Sequence, residues 1–375
     1  MKKFLSILLA VMLCLSAVVT AVAEDAVPPA GVLGFLNYDE AEFAEASVVW
    51  NYLGIALISG GYVHSDIAIP ASDPNDALNM TAKDYPVKYY DSLNSMIMGL
   101  QSGEIISFDI YSCVADYICS RNPDIVKYIS YDTTSEHSAF IGEVLDRFSN
   151  GFSFMLLEEN TALRDELNQA IADMKSDGTL DALIDTHITK VVAGDEPKPV
   201  ETEHFDGAET IRVAVTGDLP PMDYVAEDGT VAGFNTALMA EIGKRLGKNI
   251  EFSAIDSGAR AMNLASNTVD VVFWVRGMST GSKTYHMTDE EFAAYKEETE
   301  KDFTPEEKEA IAKLDEILPR EREYTRDMPD GTIITEPYFA DIPVGVMTKA
   351  FYDYYVDMLA QMQSQAEAAP AEGAQ

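Results

Sequence analysis

Short apolar runs of strand length alternate with helix-periodic segments along most of this chain, and that alternation restricts its fold more than any other feature. In the second half, Ile211–Val215, Ile250–Ala254 and Val269–Val275 read as strands. Between the first two lies a helix pattern carrying Leu238, Ile242 and Leu246, opened by Asn235 as a cap and closed by Gly247. A Pro220-Pro221 turn and a tight turn at Gly229 punctuate the same region. In the first half, Gly31–Leu36, Val87–Tyr90, Ile105–Tyr111 and Phe152–Leu157 are the strand candidates. Asn37, with Glu40 three residues later, marks a helix start resembling a capping box. Leu93, Ile97 and Leu100 share one helix face that ends at Gly103. Leu163, Leu167, Ala170, Ile171 and Met174 share another, with Gly178 placed to end it. Strands alternating with helices predict an α/β chain with mostly parallel sheets and flanking helices.

Composition divides the chain further. Residues 1–23 read as a signal peptide: Lys2 and Lys3, an apolar run from Phe4 to Val19, then Ala21-Val22-Ala23 as a cleavage site. The expected location is therefore periplasmic or extracellular, with cleavage near Ala23. Leu13 before Cys14 does not suit a lipid anchor. Residues 191–208 are polar, aperiodic and contain prolines, which suits a linker between a lobe at 27–190 and a lobe at 209–355. Residues 356–375 read as a tail. Residues 284–330 are rich in Glu and Lys, with capping-box starts at Thr288-x-x-Glu291 and Thr304-x-x-Glu307. They predict a helical insertion, either a solvated hairpin or a lid or docking surface.

The formal charge of −37 becomes −39 once Lys2 and Lys3 are removed. That balance excludes nucleic acid and anionic membrane surfaces as partners. Cys113 and Cys119 on one helix would stand too far apart to bridge, so buried thiols are expected; a small disulfide loop requires a non-helical segment. The five histidines show no metal-ligand spacing, and no cofactor or metal is expected.

With the elements placed, a family resemblance emerges. Thr210-Ile-Arg-Val-Ala-Val-Thr-Gly-Asp-Leu-Pro-Pro-Met-Asp-Tyr224, followed by Glu227-Asp-Gly-Thr-Val-Ala-Gly-Phe-Asn235, resembles the opening of the amino-acid-binding family of bacterial extracytoplasmic solute-binding proteins, the receptors of ABC transporters. Thr268–Phe273 and Thr335-Glu-Pro-Tyr-Phe339 are similar to that family's next strand and to its approach to the hinge. Tyr90–Ile105, Leu163–Leu180 and Gly31–Phe43 are similar to parts of the family's second lobe. The order is reversed, with the second lobe first. A circular permutation joined through 191–208 accounts for this; two truncated tandem copies that pair with another chain are the alternative.

The resemblance implies a two-lobe periplasmic-binding-protein-like fold (type II), a small polar solute in the interlobe cleft, a membrane permease or receptor as partner, a monomer, and no catalysis. It further implies sites to inspect. Met222 and Tyr224 stand where the family places an aromatic wall. The strand through Trp274 delivers Arg276, which is preferred over Lys283 as a carboxylate clamp because its planar fork matches a carboxylate. Asn37 and Tyr38 stand at a helix N-terminus suited to an anionic group. Asp109 and Tyr111 fall near the family's ammonium-binding aspartate. Both amino-acid clamps depart from the family pattern, as does Gly233-Phe-Asn235, where an aspartate is usual.

Four further readings remain. Gly277-x-Ser279-x-Gly281 fits a nucleophile elbow, but only His286 follows it, seven residues on and with no strand to carry an acid. The same loop approaches a phosphate-binding loop, but Ser282 stands where a glycine is required. A sensor or protein-interaction module, and a dehydratase-like enzyme using Asp109 or Asp223 as general acid, are the remaining alternatives.

Overall fold

The computed structural model describes residues 33–36, 87–127, 149–226, 229–276, 288–305 and 329–354, together with 139, 140, 142, 143, 307–309, 311, 312 and 357. The proposed signal peptide, Asn37, Tyr38 and the Gly277–Gly281 loop lie outside these residues. Among the described residues no helix is long and apolar enough to cross a membrane.

Two mixed sheets carry the architecture. Sheet A has the order β2 (Val87–Tyr90), β1 (Leu33–Leu36), β3 (Ser107–Tyr111), β14 (Pro343–Thr348), β4 (Ile125–Lys127). Sheet B has the order β10 (Asn249–Ala254), β6 (Thr210–Val215), β11 (Val271–Arg276), β5 (Asn150–Leu157), β12 (Thr332–Ile334), with β13 (Phe339–Asp341) also paired to β5. β1, β2 and β3 run parallel, as do β6, β10 and β11. Among the described strands each sheet holds one antiparallel to that core, and it comes from the other half of the chain: β14 in sheet A, β5 in sheet B. A third small sheet, β7 (Asp218–Leu219), β8 (Asp223–Val225) and β9 (Val231–Ala232), follows β6. The expected α/β class with two lobes is what the chain adopts. The sheets divide the chain differently from its two sequence halves, because β5 precedes the 191–208 segment yet belongs to sheet B.

Helices cover the sheets as their apolar stripes dictate. α1 (Leu93–Gln101) buries Leu93, Met96, Gly99 and Leu100 beneath sheet A, with Ser92 and Ser95 forming its capping box. Gly99 has no room for a Cβ, because the Tyr90 ring lies on the helix there. Tyr90 Oη donates to Glu104 Oε2 at 3.0 Å. Burial first, then that carboxylate, pushes the phenol up to about 12. α2 (Ser112–Arg121) follows β3 directly and carries both Cys113 and Cys119 as free thiols, so the helical expectation of unbridged cysteines holds.

α3 (Thr161–Asp177) buries Leu167, Ala170, Ile171 and Met174, the predicted stripe, and ends at Gly178 with φ 79°. α4 (Thr179–Ile184) continues it, and α5 (Phe234–Leu246) packs against both. Arg245 on α5 donates to Asp177 Oδ2 at 2.9 Å and Thr179 Oγ1 at 2.8 Å. Hydrogen bonds from Thr179 first and then Arg245 hold the Asp177 carboxyl down to about 2. The α3–α4 corner is thereby stapled to α5 of sheet B's lobe.

The helical insertion is not a free hairpin. α7 (Asp289–Thr299), which follows α6 (Arg260–Ala265) and β11, has the predicted capping box at Thr288 and Glu291. Thr304 and Glu307 make the second one. Tyr295 Oη donates to Glu143 Oε2 at 2.9 Å, and Phe140 meets Phe303 edge-on at 5.7 Å. The insertion thus docks onto Phe140 and Glu143.

The Gly-Phe-Asn turn departs from the expected capping. Gly233, not Asn235, caps α5, at φ 110°, and a Cβ there would sit 2.5 Å from the Met222 carbonyl oxygen. Both the left-handed φ and the backbone contact demand glycine. Gly233→Ala is expected to cost about 1–3 kcal/mol of stability. Urea unfolding reads it as a lower midpoint at unchanged slope; an unchanged midpoint refutes this account of the turn.

Candidate functional site: the crevice between the sheet ends

The parallel strands of both sheets end at one place. In sheet A, β3 stops at Tyr111, which is registered with Pro343 of β14. In sheet B, β11 stops at Arg276, registered with Gly151, and Asn150 pairs with Asp341. Only Ile342 separates β13 in sheet B from β14 in sheet A. The carboxyl edges of the two sheets therefore meet across a pair of crossing strands. In open α/β sheets that edge is where ligands bind, because loops and helix N-termini gather there with unpaired backbone groups.

The crossing is pinned by one carboxylate. Asp341 Oδ2 accepts the Cys113 N–H at 2.8 Å, and Oδ1 accepts the Ile342 N–H at 2.9 Å. Ser112 N–H donates to the Ile342 carbonyl at 2.9 Å. Tyr111, which precedes α2, gives no side-chain cap, so the crossing strand caps α2 instead. Burial raises the Asp341 carboxyl above its ordinary range, and burial with the neighbouring Asp341 raises the Cys113 thiol. Neither free thiol is activated as a nucleophile, since burial also raises Cys119.

Aromatic contacts run from this crossing into sheet B's lobe. Tyr111 meets Phe152 edge-on at 4.9 Å, and Phe152 meets Phe339 at 5.4 Å. Phe339 meets Phe234, and Tyr338 lies 4.6 Å from Phe154. Tyr111 is thus brought to the same edge as Arg276 through Phe152, whose registered partner is Val275.

Beside it lies a closed polar network. Asp223 is 2% exposed, and it accepts from Thr216 N–H at 3.0 Å, Thr216 Oγ1 at 2.7 Å and Asn235 Nδ2 at 3.2 Å. Tyr338 Oη donates to Asn235 Oδ1 at 2.9 Å. Asn235 is the one member that must donate and accept at once, which a carboxylate cannot do. Burial, then the Asp223 charge, raises the Tyr338 phenol far above its usual value. Asp223 is fully engaged in positioning the turn after β6 and has the contacts of a structural acceptor rather than a general acid.

The remaining sequence-based site residues fall as follows. Met222 is fully buried in the apolar core, a core side chain rather than a wall facing an open crevice. Tyr224 is half-buried on β8, and its phenol is pushed up to about 12 by burial and then by Tyr117, with Arg121 opposing. It therefore stands within electrostatic reach of α2, on the facing lobe. Asp109 is half-buried on β3, opposite Gly345, two residues in from the edge. Trp274 is half-buried on β11, with the Arg260 guanidinium 4.9 Å from its ring centroid. Asn37 and Tyr38 follow β1 but lie outside the described residues.

Sequence reasoning missed one residue of the crossing, Asp341. Asp341 lies three residues beyond Tyr338, where the family resemblance signals the hinge approach but not a cap. Among the described residues no cluster of His, Cys, Asp and Glu could hold a metal ion.

Two mixed sheets whose carboxyl edges meet at one crossing define the class, a two-lobe α/β protein. Residues 211–321 match the family described as bacterial extracellular solute-binding proteins, family 3. That match covers the β6-to-insertion segment of the chain. A search of curated proteins gives no match.

Among solved structures, similarity is found to a periplasmic binding protein in complex with agropinic acid from A. tumefaciens R10, at 10% identity, 70% of this chain, 54% of that chain and a TM-score of 0.31. It is also found to the ligand-binding component of an ABC-type import system from Staphylococcus aureus with zinc bound, at 8% identity, 88% and 69% coverage and a TM-score of 0.36. A third is a ligand-binding core from Nostoc punctiforme in complex with L-glutamate, at 7% identity, 89% and 92% coverage and a TM-score of 0.29. This chain spans about half the length of the first of these.

The network around Asn235 makes a prediction with a sign. Asn235→Asp sets a second carboxylate 3.2 Å from Asp223. One of the two must then stay protonated, so the pair titrates with a raised pKa in the folded state. The variant's stability is present below the ordinary carboxylate pKa of about 4 and is lost as pH rises through the raised value, by roughly 1.4 kcal/mol for every tenfold gain in proton affinity on folding. Thermal unfolding across about pH 4 to pH 8 measures it: the gap to the unchanged protein widens with pH. A gap independent of pH rejects the network.

Proposed function

We propose that this protein is an exported solute-binding receptor of an ABC-type uptake system, closing its two lobes on a small polar solute, an amino acid or a related carboxylate, and presenting it to a membrane permease. The observation that carries this reading is the one-residue crossing at Ile342, which joins the carboxyl edges of two separate sheets. Such a joint lets two lobes rotate about a few backbone dihedrals while each sheet stays intact. The match of 211–321 to solute-binding proteins supports the same function.

The proposal includes a permuted chain. Sheet A receives β14 from the chain's end, and sheet B receives β5 from its first half, so one copy of the chain supplies both crossing strands. Two truncated receptors would leave crossings to be completed by a second chain. The expected solution state is accordingly a monomer. Tyr111, Asp109, Tyr224 and Arg276, together with Asn37 and Tyr38, are the residues proposed to line the crevice.

A thermal-shift screen of amino acids, small carboxylates and short peptides tests the function. A true solute at a hundredfold excess over its Kd adds about 2.7 kcal/mol of stability, and the same solute should contract the small-angle scattering envelope. Failure of the whole panel to raise the melting temperature overturns the receptor reading.

A further inference from the structure

One carboxylate belongs to both lobes. Asp341 is the last residue of β13 in sheet B, and β14 of sheet A begins at Pro343, with only Ile342 between them. Asp341 Oδ2 accepts the Cys113 N–H at the start of α2, which packs on sheet A, and Oδ1 accepts the Ile342 N–H within the joint. The Cys113 thiol also hydrogen-bonds to it. The two ends of the contact to α2 are carried by different sheets, so a rotation of the lobes about Ile342 must lengthen or turn it. Asp341 is part-buried, and water reaches it once that contact opens.

Among the described residues no cation pairs with this carboxylate. Lys127 of β4 is engaged with Asp116 at 2.6 Å and with Ser112 Oγ at 3.3 Å. Arg121, the last residue of α2, lies over the Tyr117 ring at 4.4 Å. β3 brings Asp109 and Tyr111, while β5 and β14 bring no titratable side chain. α5, which meets β13 through Phe339, carries Glu241, Lys244 and Arg245, which pair among themselves. Two influences therefore compete at Asp341. The two N–H groups and the thiol favour the anion; loss of water and the like charge of Asp116 favour the neutral acid. Loss of water is the larger, and it raises the carboxyl above its ordinary range.

We propose that Asp341 is a proton-linked pin of the interlobe joint: the crossing takes up a proton at Asp341, and rotation of the lobes away from it gives that proton back to water. The proposal rests on the receptor reading above, since it concerns the movement which that reading requires. The sign follows from solvation. In the crossing Asp341 prefers the neutral acid. Once the joint swings and water returns, it ionises as an ordinary carboxylate does, at about pH 4. Mild acid therefore holds the crossing, and rising pH frees it. The stability that the proton contributes is fully present below about pH 4 and is lost as pH rises through the raised value. A solute that favours one arrangement of the joint inherits the same pH dependence, because coupling between two binding events is reciprocal.

The experiment compares the full chain with Asp341→Asn, which keeps the side-chain shape and cannot titrate, from about pH 4 to pH 8. Urea unfolding and the small-angle scattering radius are read without solute. The stability of the parent relative to Asp341→Asn is expected to be greatest at the acid end and to fall toward the alkaline end. The parent's radius is expected to shift across the range while that of Asp341→Asn stays constant. Asp116→Asn removes the neighbouring like charge and leaves Asp341 in place, so it tests the link even where Asp341→Asn fails to fold. It should move the radius transition to lower pH, by about twofold or more in proton concentration. The inference is overturned if the stability gap is independent of pH, if the radius responds equally in the parent and Asp341→Asn, or if Asp116→Asn leaves the transition where it was. A solute that raises the melting temperature of a parent whose radius ignores pH overturns the proton link and leaves the receptor reading intact. A radius transition abolished by Asp341→Asn, in a protein that answers no solute, supports the link and counts against the receptor reading alone.

Discussion

Everything in this fold hangs on the pairing of β5 with its neighbours. β5 takes β11 along one edge and β12 and β13 along the other, and β13 becomes β14 after a single residue. A strand paired along both edges cannot slip in register without turning Phe152 and Phe154 out of the core. That fixed register sets the position of Asp341 opposite Asn150. Asp341 in turn places the N-terminus of α2 and the end of β3. The crevice geometry is thus a consequence of sheet register rather than of loop conformation. Loops elsewhere at the edge are free to differ between related receptors without moving the joint.

The chain's acidity plays little part in that geometry. Its described ion pairs are mostly exposed, such as Lys349 with Asp353 and Lys190 with Asp185, and pairs of that kind contribute little each. The charges that act structurally are the buried or half-buried ones. Arg212 meets Asp270 at 2.6 Å and also reaches the Asn267 carbonyl at 2.8 Å, tying β6 to the turn before β11. Glu143 accepts from the insertion.

Much of the fold was legible because its signals are local. Helix stripes, Gly178 and Gly247 as left-handed caps, and the capping boxes at Thr288 and Thr304 each depend on residues a few positions apart, and each appears as read. The two-lobe class followed from a resemblance spread over both halves. What was not legible depends on pairing across long separations. Nothing near Ser153 in the sequence announces that it faces Trp274, more than a hundred residues away. Asp341 reads as an ordinary strand end until Cys113 is brought beneath it. Asn235 looked like a cap because asparagine favours caps. In three dimensions the backbone of Gly233 does that work, and the side chain is drawn inward to Asp223.

That exchange of roles explains why the family's motif is altered here without loss of the turn. An aspartate at position 235 would face Asp223 with no donor to offer it, although it could still accept from Tyr338. Asparagine supplies the donor to Asp223 and keeps an acceptor for Tyr338.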